Sequence, residues 1–186
     1  MENNQSDQNS PQVAVPATDI SENNVSTQYL TFSLDGEAFA TEISRVREVL
    51  EYAQITPVPR TPNYMLGVIN LRGNVVPIVD LRQQFSMAAK QPDVDTCIII
   101  IEIEIEATLT VLGVLADAVQ EVIELRPDQL EKAPSLGTRV QFEFIEAMGK
   151  VDDHFVIVLD MQQVFADNQI KALSVQNEPA ADSAAA

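Results

Sequence analysis

The chain has 186 residues and a formal net charge of −17, and apolar residues make up 46% of it. A chain of this length usually forms one domain, and this apolar content is enough for a core. The negative charge disfavours a nucleic-acid duplex or an anionic membrane surface as a partner, because both carry charge of the same sign.

The sequence predicts a soluble cytoplasmic protein. The single cysteine, Cys97, cannot form an internal disulfide, so nothing indicates an oxidising compartment. The start of the chain, residues 1–5, lacks the basic residues and apolar stretch of a signal peptide. The longest apolar run, residues 97–101, is far shorter than the roughly 20 residues that a membrane helix needs.

Both ends of the chain differ in composition from its middle. Residues 1–27 are rich in Asn, Gln, Ser and Pro, and their few apolar residues are isolated. Such a segment cannot bury enough apolar surface to offset the entropy lost on ordering, so we predict a disordered tail. Residues 169–186 are predicted to hold the end of a helix and a second disordered tail. The folded unit is therefore expected to be residues 28–168.

The folded unit begins with a predicted hairpin. Apolar and polar residues alternate over Tyr29–Leu34, Asp35-Gly36 is a strong turn signal, and Glu37–Thr41 returns as a second strand. Residues 43–50 then carry apolar side chains at helical spacing, which predicts a short amphipathic helix with Thr41 as its cap.

A second hairpin is predicted after a stiff, proline-rich connection over residues 57–62. Two apolar runs, Leu66–Leu71 and Val75–Val79, flank Arg72-Gly73-Asn74. We expect the next segments to be a helical turn at Leu81–Phe85 and a polar loop at Met87–Asp95.

The second half of the chain is predicted to consist mainly of short strands. Residues 97–106 begin apolar on both faces and then alternate Glu102, Glu104 and Glu106 with isoleucine, so we expect a strand that starts between two layers and ends as a solvated edge. The further predicted elements are strands at Thr108–Ala116, Val122–Leu125, Phe142–Met148 and Phe155–Leu159, and a helix at Met161–Leu173. This pattern predicts an all-β protein built from barrels or a sandwich.

The residue patterns of common catalytic and cofactor sites are not found in the sequence. It has no Gly-rich phosphate loop, and its single histidine, His154, is expected in a solvated turn. Cys97 lies within an isoleucine run and is predicted to be a buried, inert thiol. Asp93 and Asp95 resemble half a calcium loop without its later Gly and Glu. We therefore expect no catalytic residues, no metal and no cofactor.

Two other classes of function compete with a binding role. A hydrolase using clustered carboxylates stays open, because acids are plentiful in the chain. A nucleic-acid-binding barrel is disfavoured by the net charge and by the lack of exposed aromatic stripes.

The turn Asn70-Leu71-Arg72-Gly73 stands out from its surroundings. Residues 43–82 hold five arginines and three acids, a net charge of +2 (5 − 3) in an acidic chain. Gly73 permits the positive φ of a tight turn, and Asn70 can hydrogen-bond the local backbone. Such a turn would present Arg72 rigidly beside Leu71, which is typical of an interface anchor. The alternative is an ordinary hairpin tip with a solvated arginine.

The segment Gly67–Arg82 resembles the signature of the CheW family, the adaptors of bacterial chemotaxis. The companion segments that agree with the family pattern are Tyr29–Phe32 with Gly36 and Phe39, Ile43–Val49, Gly113–Val122, Ile145–Gly149 and Leu159-Asp160. Two positions depart mildly from it: Ala116 stands where the family has Val, and Ala118 where Gly is frequent. The resemblance covers residues 28–168.

The resemblance implies a fold and a function. The fold is two SH3-like, five-stranded β-barrels on a shared hydrophobic core. The function is that of a non-enzymatic adaptor, recruited to membrane-associated arrays, which couples the histidine kinase CheA to chemoreceptors. It would bind the CheW-like regulatory domain of CheA and the cytoplasmic tip of methyl-accepting chemoreceptors. An adaptor of a pilus-motility or other chemosensory system is the alternative.

The resemblance also implies binding residues. The positions that match receptor contacts are Val46, Glu48, Arg72 and Val122, with Asn70 and Leu71 nearby, and Gly67 matches a position where function is sensitive to change. Several have a simpler alternative: core packing for Val46 and Val122, and a weak helical pair with Arg45 for Glu48. The residues assigned to the core are Val68, Ile69, Val76 and Ile78.

Overall fold

The computed structural model describes residues 25–105, 107–133 and 140–166. The predictions for residues 1–24, Glu106 and 167–186 lie outside this part of the chain. Within it, no helix has the length and apolar composition needed to span a membrane.

The described residues form eleven strands, two short α-helices and three 3-10 turns. In chain order the strands are β1 Thr27–Leu34, β2 Glu37–Glu42, β3 Val46–Glu51, β4 Met65–Leu71, β5 Asn74–Asp80, β6 Cys97–Ile105, β7 Thr108–Ala116, β8 Ala118–Leu125, β9 Leu130–Glu131, β10 Ile145–Val151 and β11 His154–Leu159. The helices are α1 Leu81–Gln84 and α2 Met161–Val164, and the 3-10 turns are Ile43–Arg45, Pro127–Gln129 and Phe142–Phe144.

The strands form two sheets, which confirms the all-β prediction. The strand order is β8-β1-β2-β11-β10-β9 in one sheet and β3-β6-β7-β5-β4 in the other. The expectation of five strands in each half is corrected for the first sheet, which has six because the two-residue β9 pairs with β10. The chain passes from the first sheet to the second after β2 and returns between β7 and β8.

The apolar core has one large shared part and two smaller parts. Alternate isoleucines of β6 face opposite ways, as predicted for a strand between two layers. Ile98 and Ile100 face a cluster within the five-stranded sheet, together with Ile69, Val76, Ile78 and Leu115. The shared cluster between the sheets takes Ile99, Ile101 and Ile103 from β6, and Phe32, Leu34 and Phe39 from β1 and β2. A third cluster within the six-stranded sheet contains Tyr29, Ala40, Leu125, Val156 and Val158.

The helix predicted over residues 43–50 is wrong. A single 3-10 turn, Ile43–Arg45, leads directly into β3. Leu50 and Glu48 pair with Ile98 and Ile100 of β6, and burial alternates along β3 as in a strand. Pairing with the apolar β6 therefore overrides the helical spacing. Thr41 does not act as a cap: Glu42 occupies the capping position before the 3-10 turn, and Thr41 is fully buried in β2.

Smaller differences concern the ends of elements. The strand predicted from Phe142 begins at Ile145, after a 3-10 turn, and β8 begins at Ala118. His154 is exposed but opens β11, opposite Val151, so the turn itself is Asp152-Asp153. The last helix, predicted to reach Leu173, ends at Val164, because Phe165 caps it and Ala166 is not helical.

A buried arginine holds the two sheets together where the chain crosses between β7 and β8. Arg82 is only 8% exposed. Its Nη1 lies 2.6 Å from Asp117 Oδ2 and its Nη2 lies 2.9 Å from Asp35 Oδ1. Its Nε also donates to the Ala88 carbonyl oxygen at 2.7 Å. Because Asp35 lies in the β1–β2 turn and Asp117 lies between β7 and β8, one guanidinium connects α1, both sheets and the polar loop.

We expect Arg82→Ala to lower the free energy of unfolding by about 3 kcal/mol, because two partly buried carboxylates would lose their counter-charge. Urea unfolding followed by circular dichroism measures this loss. The matched control is Arg126→Ala, since Arg126 is exposed and pairs only with the nearby Asp128 among the described residues. An exposed ion pair of this kind contributes at most about 1 kcal/mol to the free energy of unfolding. Equal losses in the two variants would contradict the role given to Arg82.

Candidate partner-binding surface

The turn between β4 and β5 is a two-residue hairpin loop. Arg72 and Gly73 both have positive φ, 53° and 90°, and Leu71 pairs with Asn74 across the loop. Two positive φ values define a type I′ turn, which matches the twist of the flanking strands. The Asn70 Oδ1 accepts a hydrogen bond from the Gly73 N–H at 2.8 Å. The backbone that carries Arg72 is therefore fixed, as the sequence predicted.

Arg72 forms an ion pair with Glu48. The Arg72 Nη2 lies 2.7 Å from Glu48 Oε2, and 76% of the Arg72 side chain remains exposed. Glu48 lies on β3 and Arg72 follows β4, and these are the two outermost strands of the five-stranded sheet. The pair therefore draws the edges of the sheet together. The alternative of a local pair between Arg45 and Glu48 is not what forms: Arg45 Nε lies 3.9 Å from Glu42 Oε2 instead.

A second contact joins the same two outer strands, β3 and β4, of the five-stranded sheet. Thr56, in the connection between β3 and β4, exchanges two backbone hydrogen bonds of 2.9 Å with Val68 of β4. Gly67 is buried beneath this connection, and its φ is 140°. A Cβ on Gly67 would lie 2.1 Å from the Thr56 carbonyl oxygen. Gly67 thus allows the connection to approach β4, and it contributes no exposed side chain to a binding surface.

An open groove of about 400 Å³ lies beside the crossing from β2 to β3. The residues that line it are Ser26, Thr27, Gln28, Ile43, Ser44 and Glu124. Ser26 Oγ and Glu124 Oε1 form a hydrogen bond across it. The groove is therefore lined by the start of β1, the 3-10 turn Ile43–Arg45 and the end of β8.

The two candidate valines do not line this groove, but each lies two residues along the chain from a residue that does, Ser44 or Glu124. Val46 directly follows the 3-10 turn, is partly buried and packs against the shared core. Val122 lies two residues before Glu124 on β8, so both side chains point to the same face of the strand. Val122 is 49% exposed, so core packing does not account for it. The seven candidate residues thus fall into two groups. Val46 and Val122 lie close in sequence to groove residues, and Glu48, Gly67, Asn70, Leu71 and Arg72 lie where β3 and β4 come together.

The residues assigned to the core fall into two groups. Ile69, Val76 and Ile78 are buried in the cluster within the five-stranded sheet. Val68 is only half-buried and pairs with Thr56 and Pro77.

Most of the arginines that suggested a cationic surface are neutralised within the protein. Arg45, Arg72 and Arg82 pair with acids as described, and Arg47 pairs with Glu102. Glu102 is consequently half-buried rather than free in solvent, whereas Glu104 is exposed. Sequence reasoning missed these pairs, because most of their partners lie on other strands.

Two features of the described residues bear on nucleophilic chemistry and metal binding. Cys97 is buried, and burial raises the pKa of its thiol, which therefore stays protonated near neutral pH. Across the described ranges, no cluster of three or more His, Cys, Asp and Glu side chains could hold a metal ion.

The fold and this surface define a two-sheet β module with a groove at the junction of its halves. Residues 28–169 match the family model of the CheW-like domain. The chain belongs to the CheW family.

Individual relatives agree with this assignment. The chain is 29% identical over 146 residues to chemotaxis protein CheW of Klebsiella aerogenes, a match that covers 78% of this chain and 86% of the relative. It is 27% identical over 147 residues to chemotaxis protein CheW of Thermotoga maritima, which covers 77% and 91%. The crystal structure of scaffolding protein TtCheW from Thermoanaerobacter tengcongensis superposes with a TM-score of 0.69 at 32% identity and covers 78% of this chain and 91% of that chain.

We expect Gly67→Ala to lower the free energy of unfolding by about 2–4 kcal/mol, because the new methyl group overlaps the Thr56 carbonyl and the backbone is strained. Chemical denaturation measures the loss. Gly36→Ala is the matched control: Gly36 also has positive φ, 80°, but a Cβ added there would have no atom within 4 Å. Strain alone should cost about 1 kcal/mol there. A loss at Gly67 no greater than that at Gly36 would rule out the proposed packing role.

Proposed function

We propose that this protein is a non-enzymatic adaptor that couples methyl-accepting chemoreceptors to the histidine kinase CheA. The observation that carries the proposal is the rigid type I′ turn, which exposes Arg72 beside Leu71 at the closed edge of the five-stranded sheet. Arginine next to an apolar side chain is a frequent anchor of protein interfaces. The names of the relatives, a scaffolding protein and several chemotaxis proteins, support the same function.

The groove at the junction of the sheets is the proposed receptor site. A receptor tip is a helical hairpin, and a helix binds a groove by laying its apolar side chains into it. Ile43 lines the groove, and Val122 offers exposed apolar surface two residues along β8 from the lining residue Glu124. Polar residues such as Ser44 and Glu124 surround these side chains, as is usual at the rim of an interface.

The Arg72 turn is the proposed site of charged contact with a partner. Because Arg72 is largely exposed, its guanidinium can pair with an acid of a partner while Glu48 holds it in place. Asn70 and Leu71 belong to the same surface, and Gly67 acts indirectly by letting the sheet edge close. The same geometry would serve an adaptor in a pilus-motility or other chemosensory system, and the kinase and receptors recovered from the source cell distinguish the two.

We expect Arg72→Ala to keep the far-UV circular dichroism of the protein but to weaken its co-sedimentation with kinase and receptor. Stability should change by at most about 1 kcal/mol, because the pair with Glu48 is exposed. The swap Glu48→Arg with Arg72→Glu restores an ion pair across the sheet edge but not the charge presented to a partner. It should therefore fail to restore assembly. Undiminished assembly by Arg72→Ala, or full recovery by the swap, would exclude direct contact by Arg72.

We expect Val122→Glu to weaken binding to receptor tips about tenfold, since a charge would be buried where an apolar contact is proposed. Isothermal titration calorimetry against a soluble receptor fragment measures the affinity. The matched control is Phe155→Glu, because Phe155 is similarly exposed, at 52%, and lies on the β10–β11 hairpin instead. If both variants bind as tightly as the unaltered protein, the groove is not the receptor site.

A further inference from the structure

The pairing of β3 with β6 contains one extra residue on β3. Val46 pairs with Ile101, and Glu48 pairs with the adjacent residue of β6, Ile100, so Arg47 lies between two consecutive pairs. Such a β-bulge places two residues of one strand opposite one residue of the other and re-aims the side chains beside it. Bulges are common at sheet edges, and β3 is an outermost strand of the five-stranded sheet.

The bulge places Val46 and Glu48 on opposite faces of the sheet. Residues two apart in a regular strand point to the same face. Here the partner of Val46, Ile101, belongs to the core shared between the sheets, whereas the partner of Glu48, Ile100, belongs to the cluster within the five-stranded sheet. Val46 accordingly packs against the shared core, and Glu48 lies on the other face, where it pairs with Arg72. One strand thus supplies both groups of candidate residues.

The bulge also brings Val46 and Val49 to one face. Val49 pairs with Ile99, which belongs to the shared core as Ile101 does. The two valines therefore stand opposite residues that are two apart on β6, a separation of roughly 6.6 Å along the strand. Successive turns of an α-helix lie about 5.4 Å apart, which is a similar spacing. Because Val49 is 42% exposed, this face offers apolar surface that suits a helix.

The charge of Arg47 favours the bulged register. In a regular register Arg47, and not Val46, would pair with Ile101 and face the shared core. Burying a guanidinium there would cost far more free energy than burying a valine. In the bulged register Arg47 forms an ion pair with Glu102 of β6, and 55% of its side chain stays exposed.

We propose that Arg47 is a positioning residue for receptor binding, because it keeps the bulge in β3 and thereby holds Val46 and Val49 together on the face that meets a receptor helix. This inference rests on the proposed adaptor function. It gives a role to a residue that the family resemblance did not single out. It also names the chemistry of the partner: a helix of the receptor tip with apolar side chains on successive turns.

The test uses the full chain with Arg47→Val, which makes the regular register favourable because a valine can face the shared core. Nuclear Overhauser contacts report the register: residue 46 contacts Ile101 in the unaltered protein, and residue 47 should contact it in the variant. Titration calorimetry measures the affinity for a soluble receptor-tip fragment. If about 80% of the variant adopts the regular register, the apparent affinity falls about fivefold, because only the bulged fraction binds.

Arg47→Lys is the matched control, because an ammonium group is equally unsuited to the shared core and can pair with Glu102. It should keep the contact between residue 46 and Ile101 and an affinity within twofold of the unaltered protein. A loss of affinity in Arg47→Lys with this contact intact would indicate direct binding by Arg47 and overturn the positioning role.

Two further outcomes separate this inference from the adaptor function. If Arg47→Val keeps its receptor affinity within twofold, whether or not the register changes, the positioning role is excluded while the adaptor function stands. If the unaltered protein does not bind the receptor fragment, the adaptor function fails and the role of Arg47 in receptor binding fails with it.

Discussion

The structure depends on one constraint, the burial of β6 on both of its faces. Its isoleucines supply the cluster within the five-stranded sheet on one side and the core shared between the sheets on the other. Each buried isoleucine stabilises the fold by about 1.5–3 kcal/mol. Since β3 and β7 pair with β6, the position of this strand also sets the positions of its neighbours. The crossing from β2 to β3, and hence the groove, is located by the same packing.

Closure of the five-stranded sheet connects this core to the proposed binding surface. The backbone bridge between Thr56 and Val68 requires the small size of Gly67, and the ion pair between Glu48 and Arg72 joins the same two edges. The two contacts differ in strength. The buried packing at Gly67 is structural, whereas the exposed ion pair adds little stability and leaves most of the Arg72 side chain in solvent. The family resemblance placed Gly67 and Arg72 in one set of binding residues, but the two have different roles. Gly67 allows the sheet to close, and Arg72 presents an exposed charge.

The arginines are clustered in one part of the sequence, but the sequence does not show that most of them are paired with acids in the folded protein. The arginines concentrated in residues 43–82 mostly neutralise acids of the same chain, and Arg82 does so in the interior between the sheets. Within this stretch, the guanidinium of Arg72 remains largely exposed even though it pairs with Glu48. The type I′ turn holds the backbone of this arginine in one position.

The sequence by itself determined most of the strands, both hairpin turns and the buried character of β6, because alternation of apolar residues and turn residues such as Asp35-Gly36 are local signals. It also identified the Arg72 turn, whose conformation depends on the local residues Gly73 and Asn70. Only the tertiary structure decided that residues 46–51 form a strand, since pairing with β6 outweighs their helical spacing. It likewise decided that Glu48 pairs with Arg72 and not Arg45, and that Gly67 is buried, because both depend on strands distant in sequence meeting when the sheet curls.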